Sequence, residues 1–137
     1  MGRKKKKTPW YRLKMKKILV IGGGALWSAF TIPCLENQNK VTITEPYSKA
    51  FIKDLSSKNK FHSSLKINLP KNLKFRKFST DLLREKFDLI VIALSLSGID
   101  FISKELKKLK FKNPILVLTK GLKYKKKNNK FLTISEK

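Results

Sequence analysis

Four apolar residues, Ile18-Leu19-Val20-Ile21, run directly into Gly22-Gly23-Gly24 and then into Ala25-Leu26-Trp27, and this order constrains the fold more than any other feature of the chain. A short, unbroken apolar run is what a strand buried on both faces requires. Three glycines then give a turn with no side chains to clash. Ala25 to Leu35 follows as a predicted helix, with Leu26, Trp27, Phe30 and Cys34 near helical spacing. Pro33 is expected to end or kink it, because proline has no amide donor and crowds the preceding turn. A buried strand that feeds a helix must return to a parallel neighbour by a crossover, since a tight hairpin joins only antiparallel strands.

The rest of the chain repeats the alternation. Val41 to Thr44 is a second predicted strand, and Tyr47 to Leu55 a short helix with Ala50, Phe51 and Leu55 inward. Ser56 to Asn72 carries turn formers and two apolar anchors, Leu65 and Leu69, and is expected to be mostly loop. Phe75 to Phe78 is a short third strand. Ser79 or Thr80 caps a brief helix from Asp81 to Lys86. Leu89 to Leu94 is the clearest strand. Ser97 or Gly98 opens a helix to Leu109 whose Ile99, Ile102, Leu106 and Leu109 recur at three and four residues, the spacing of an amphipathic helix packed on a sheet. Ile115 to Leu118 is a final buried strand. The pattern implies an α/β fold: a Rossmann-like, doubly wound parallel sheet of about five strands.

With 137 residues and 41% hydrophobic content, the chain can bury the core of one domain. Its 33 basic residues against 9 acidic ones give a formal charge of +24, which predicts non-specific binding to polyanions. The lysines are spread along the whole chain, whereas nucleic-acid proteins usually gather charge on one face and interleave it with aromatics. A drift towards Lys, Asn, Ile and Phe explains that spread. Residues 1–14 are expected to be a basic, disordered extension, in which Trp10 and Tyr11 adjoin the Lys/Arg run, and residues 15–137 the folded domain. A small basic nucleic-acid-binding protein is therefore the alternative reading. Cys34 is the single cysteine, so no intrachain disulfide forms; it is expected in the core. No Cys/His cluster with zinc spacing is present, and no metal site is predicted. A single cysteine fits a reducing, cytoplasmic setting, and no apolar run approaches the roughly 18 residues of a membrane span, so a soluble cytoplasmic protein is expected. His62, the one histidine, lies in a polar stretch and is read as surface.

Strand, turn and helix come in the order of a dinucleotide fingerprint. Gly22 permits the tight turn, and Gly24 lets a diphosphate approach backbone amides at the helix start. Glu45 follows the second strand, 23 positions after Gly22, where a carboxylate can accept hydrogen bonds from ribose hydroxyls and repel a 2′-phosphate. That favours NAD over NADP. The third glycine of the pattern is replaced by Trp27, whose indole must find space or push the helix from the strand.

These segments resemble the NAD(P)-dependent glycerol-3-phosphate dehydrogenase family. The likeness runs through Lys17 to Leu26, Leu69-Pro70 with Asn72-Leu73, Asp88-Leu89-Ile90-Val91-Ile92-Ala93, and Thr119-Lys120-Gly121-Leu122 after the last strand. It covers Met15 to the C-terminus. Such enzymes interconvert dihydroxyacetone phosphate and glycerol 3-phosphate by hydride transfer with a nicotinamide cofactor, supplying glycerophospholipid metabolism. The resemblance implies that Gly22, Gly23, Gly24, Ala25, Leu26, Trp27 and Glu45 line the NAD site and that Lys120 is the catalytic residue facing the substrate. It also implies a C-terminal helical domain beyond these residues, so that residues 1–137 alone are expected to be inactive and to associate with such a domain or with a second copy. Trp27 stands where the family has glycine, Gln38 replaces a glycine before the second strand, and Ser95-Leu96 stand where the family usually has Pro-Ser.

Overall fold

The structure, a computed structural model, describes residues 14–119 and, beyond them, the backbone of 122–125 and 130–133. The basic stretch 1–13, with Trp10 and Tyr11, lies outside the described residues, as does Lys120.

Strand β1 (Lys17–Ile21) leads into helix α1 (Ala25–Glu36), strand β2 (Lys40–Thr44) and helix α2 (Lys49–Ser56). Two-residue strands β3 (Phe61–His62) and β4 (Ile67–Asn68) follow, then β5 (Lys74–Phe75), a 3-10 turn (Leu82–Arg84), β6 (Leu89–Ile92), helix α3 (Leu96–Lys108) and β7 (Ile115–Val117). Strands β8 (Leu122–Lys125) and β9 (Lys130–Thr133) form an antiparallel pair. The main sheet has the order β5-β2-β1-β6-β7, and every neighbouring pair is parallel. The expected five-stranded doubly wound sheet is therefore present.

Alternation along the strands divides the core in two. Leu19 and Ile21 of β1 and Ile90 and Ile92 of β6 face Ile99, Ile102 and Leu106 of α3, together with Leu82, Leu83 and Phe87. Ile18, Val20, Val41, Ile43 and Val91 face the opposite way, against Leu35 of α1 and Leu55 of α2. Leu19, Val20 and Ile21 are fully buried; at about 1.5–3 kcal/mol each they contribute roughly 5–9 kcal/mol, which makes β1 the axis of the fold.

Three local expectations are corrected. Helix α1 passes through Pro33 to Glu36, and its end is closed by Asn37 N–H to the Pro33 carbonyl and Asn39 N–H to the Cys34 carbonyl. Its fully buried residues are Ser28, Thr31 and Leu35; Trp27, Phe30 and Cys34 of the expected apolar set pack partly buried against the core, while Leu26 is exposed. Ser56 to Asn72 is mostly loop, as expected, and carries one short hairpin, β3–β4, with Phe61 opposite Asn68 and His62 opposite Ile67. Strand β7, expected to be buried, is an edge strand with Ile115, Leu116 and Val117 37–41% exposed, because β6 is its only partner in the sheet and no helix covers it among the described residues.

Candidate functional site

The carboxyl ends of β1, β2 and β6 meet at Gly22. Its N–H donates to the Thr44 carbonyl (2.8 Å), and Ala93 N–H donates to the preceding Ile21 carbonyl (2.9 Å). Gly22 has φ +127°, and a Cβ there would lie 2.4 Å from the Ala93 carbonyl oxygen. Only glycine satisfies both the backbone conformation and the approach to β6.

Gly23 is held by side chains on both of its backbone polar groups. Its N–H donates to Glu45 Oε2 (2.6 Å). Its carbonyl accepts from His62 Nε2 (2.8 Å) and, at longer range, from Ser28 Oγ (3.3 Å). Glu45 is buried, and its Oε1 also accepts from the N–H groups of Tyr47 (2.8 Å) and Ser48 (3.0 Å), which fixes the entry to α2. Ser48 in turn caps α2 by accepting from Phe51 N–H.

His62 is not a surface residue. It is fully buried, stacked on the Phe51 ring with centroids 5.3 Å apart, and Leu65 N–H points at its Nδ1 (3.4 Å). With Nδ1 as acceptor, the proton belongs on Nε2, and the ring donates to Gly23. Sequence reasoning missed this because a lone histidine in a polar stretch gives no sign of a partner 39 residues away. Asp54 anchors the same hairpin, accepting from the N–H (2.9 Å) and hydroxyl (2.6 Å) of Ser63. Those bonds hold its carboxyl below the usual carboxylate range.

Helix α1 begins at Gly24 with no side-chain cap and no acidic residue in its first turn. Among the described residues the N–H groups of Gly24, Ala25 and Leu26 have no hydrogen-bond partner. Free amides at a helix start carry partial positive charge and suit an anion. A Cβ on Gly24 would meet only ordinary contacts, Trp27 Cδ1 at 3.6 Å and Phe51 Cε2 at 3.9 Å. The Trp27 indole has found space: it packs with Phe30, Cys34 and Leu65 against the α1/α2 side of the core. Ser28, the next residue, is fully buried beside the turn. Burial raises the Cys34 thiol pKa.

On the far side, Ser95 leads into α3, and the Tyr47 ring lies against the helix start, 2.9 Å from where a Gly98 Cβ would be. Burial and the neighbouring Glu45 carboxylate raise the Tyr47 pKa. Leu118 N–H donates to the Ile92 carbonyl (3.0 Å) and Thr119 Oγ1 to the Leu94 carbonyl (2.6 Å), so the chain after β7 reaches this same edge at Thr119. Gly22 to Trp27 and Glu45 are thus brought together, whereas Lys120 falls outside the described residues. A separate groove of about 460 Å³ lies over the amino-terminal half of the sheet, lined by Lys17, Lys40, Thr42, Lys74, Arg76, Glu85, Lys86 and Phe87. No cluster of metal-ligating side chains and no helix long and apolar enough to cross a membrane occurs among the described residues.

The family model for the NAD-dependent glycerol-3-phosphate dehydrogenase N-terminus matches residues 17–137. Among solved structures, the chain is similar to D-mandelate dehydrogenase in a ternary structure with NADH and anilino(oxo)acetate, at TM-score 0.57 and 16% identity, over 79% of this chain and 35% of that one. It is also similar to MGS-M5, a lactate dehydrogenase from a Medee basin deep-sea metagenome library, at TM-score 0.52 and 12% identity, over 79% of this chain and 38% of that one. At such identities the likeness is one of fold. The chain spans little more than a third of the length of either enzyme. No curated protein matches it.

Proposed function

The chain belongs to the family of NAD-dependent glycerol-3-phosphate dehydrogenase N-terminal domains, and from that premise we propose that it forms the NAD-binding part of an enzyme interconverting dihydroxyacetone phosphate and glycerol 3-phosphate. NAD is the cofactor of this family, and when bound it accepts or gives up the hydride.

One observation carries the reading: the amides of Gly24, Ala25 and Leu26, without partners among the described residues, open at the junction of three parallel strand ends, beside a turn where Gly22 admits no side chain. The residues fit the cofactor's diphosphate, which needs donors and close backbone approach rather than cationic side chains. Gly24 and Ala25 would bind it. Glu45 Oε2 accepts one backbone N–H and keeps an acceptor position for a ribose hydroxyl, while its charge would repel a 2′-phosphate. Trp27 serves the core beside the turn. By family likeness Lys120 would pair with the substrate's phosphate or polarise its carbonyl; Thr119, anchored at the same edge, supports that role.

A second reading, binding of a nucleic-acid backbone, rests on the groove where Lys17, Lys40, Lys74, Arg76 and Lys86 converge. Titration of the 137-residue chain with NADH, followed by quenching of Trp10 and Trp27 fluorescence, separates the two. Saturable quenching by NADH, with NADPH at least about tenfold weaker, is expected. Duplex binding that survives near-physiological salt, with no response to NADH, would instead establish the second reading.

A further inference from the structure

The nucleotide-binding turn is held from beneath by a residue that no glycine fingerprint contains. The Gly23 carbonyl and the Gly24 N–H belong to one planar trans peptide, so they point in opposite directions. His62 draws that carbonyl into the core at 2.8 Å, from a ring that is fully buried and stacked on Phe51. The Gly24 N–H is therefore turned away from the core, and it has no partner among the described residues. Glycines on both sides of this peptide leave little steric resistance to its flipping, and a flip would point a carbonyl at the incoming anion. Glu45 fixes the peptide before it through the Gly23 N–H, but nothing in that contact sets the plane of the next one; of the two side chains on the Gly23 carbonyl, His62 at 2.8 Å is the closer and Ser28 Oγ at 3.3 Å the more distant.

The hairpin gives the same indication. Strands β3 and β4 lie outside the main sheet, and their contacts converge on His62: Leu65 N–H at Nδ1, Phe51 on the ring face, and Asp54 holding the adjacent Ser63. We propose that His62 is a positioning residue, which fixes the Gly23–Gly24 peptide so that the Gly24 amide presents its proton to the cofactor's diphosphate. This rests on the NAD-binding reading above.

The test compares the 137-residue chain with His62→Phe, which keeps a buried ring against Phe51 but has no donor, and His62→Gln, whose amide can donate to the same carbonyl. Each is titrated with NADH and with adenosine, which lacks the diphosphate. His62→Phe should weaken NADH about 10- to 100-fold, as expected for a lost hydrogen bond to a charged group. Adenosine binding should not change, and His62→Gln should recover most of the NADH affinity. Equal NADH affinity in His62→Phe and the parent, or a parallel loss for adenosine, overturns the proposal. Absence of NADH binding by the parent chain sinks the underlying NAD reading itself. A measurement on the parent alone guards against a variant that does not fold: on adding NADH the Gly24 amide resonance should move more than that of Gly23, and the reverse order would refute the assignment.

Discussion

Replacing Gly22 and Gly24 by alanine, one at a time, separates the glycine required by the fold from the glycine required by the ligand. At Gly22 a Cβ would lie 2.4 Å from the Ala93 carbonyl oxygen and 2.9 Å from its carbon, on a backbone with φ +127°. An L-residue held in such a region costs about 1–3 kcal/mol. Forcing a methyl against a backbone that belongs to the neighbouring strand costs about 1–3 kcal/mol more. The sum, about 2–6 kcal/mol, is a large part of the roughly 5–15 kcal/mol that holds a domain together. At about 4 °C per kcal/mol for a domain of this size, Gly22→Ala should lower Tm by about 8–24 °C. Gly24, with φ −67° and ψ 167° and no Cβ contact closer than 3.6 Å, should accept alanine within about 0.5 kcal/mol. The same change should weaken NADH about tenfold or more, because the methyl crowds the amide that approaches the diphosphate. Thermal and urea denaturation followed by far-UV circular dichroism, with NADH titration in parallel, measure both. A Gly22→Ala protein as stable as the parent, or an equal loss at Gly24, would refute the reasoning from contact distances.

Two departures from the family pattern should respond in opposite directions. Trp27→Gly, which restores the family residue, removes an indole packed on the α1/α2 core and adds a helical glycine; a loss of about 2–4 kcal/mol in urea denaturation is expected. Gln38→Gly should stabilise by about 0.5–1 kcal/mol in the same assay, since Gln38 has φ 63° at the end of α1. Asp54 gives a pH dependence: its folded-state pKa is lowered, first by the Ser63 hydroxyl and then by the Ser63 amide, against a smaller raising effect of burial. Its contribution is therefore complete above the ordinary carboxylate value and fades as pH falls through the lowered one. Protection of the Ser63 amide from hydrogen exchange, taken relative to the intrinsic rate at each pH, should fall over that interval, and Asp54→Asn should abolish the change.

The sequence alone determined the elements that obey a local period. Apolar runs at Ile18–Ile21 and Leu89–Ile92, each followed by a turn and a helix, imply parallel strands, and Ile99, Ile102 and Leu106 do lie on the inner face of α3. Tertiary structure decided the rest, because it depends on partners that share no period. Burial of Ser28 and Thr31 rather than Leu26, the left-handed turn at Gln38 and the exposure of β7 follow from which surfaces are brought together or left uncovered. Above all, only folding brings Glu45 and His62, 22 and 39 residues from Gly23, onto the two polar groups of that glycine. Hydrogen bonds from distant side chains to backbone atoms leave no pattern in the chain, since the backbone is the same at every residue.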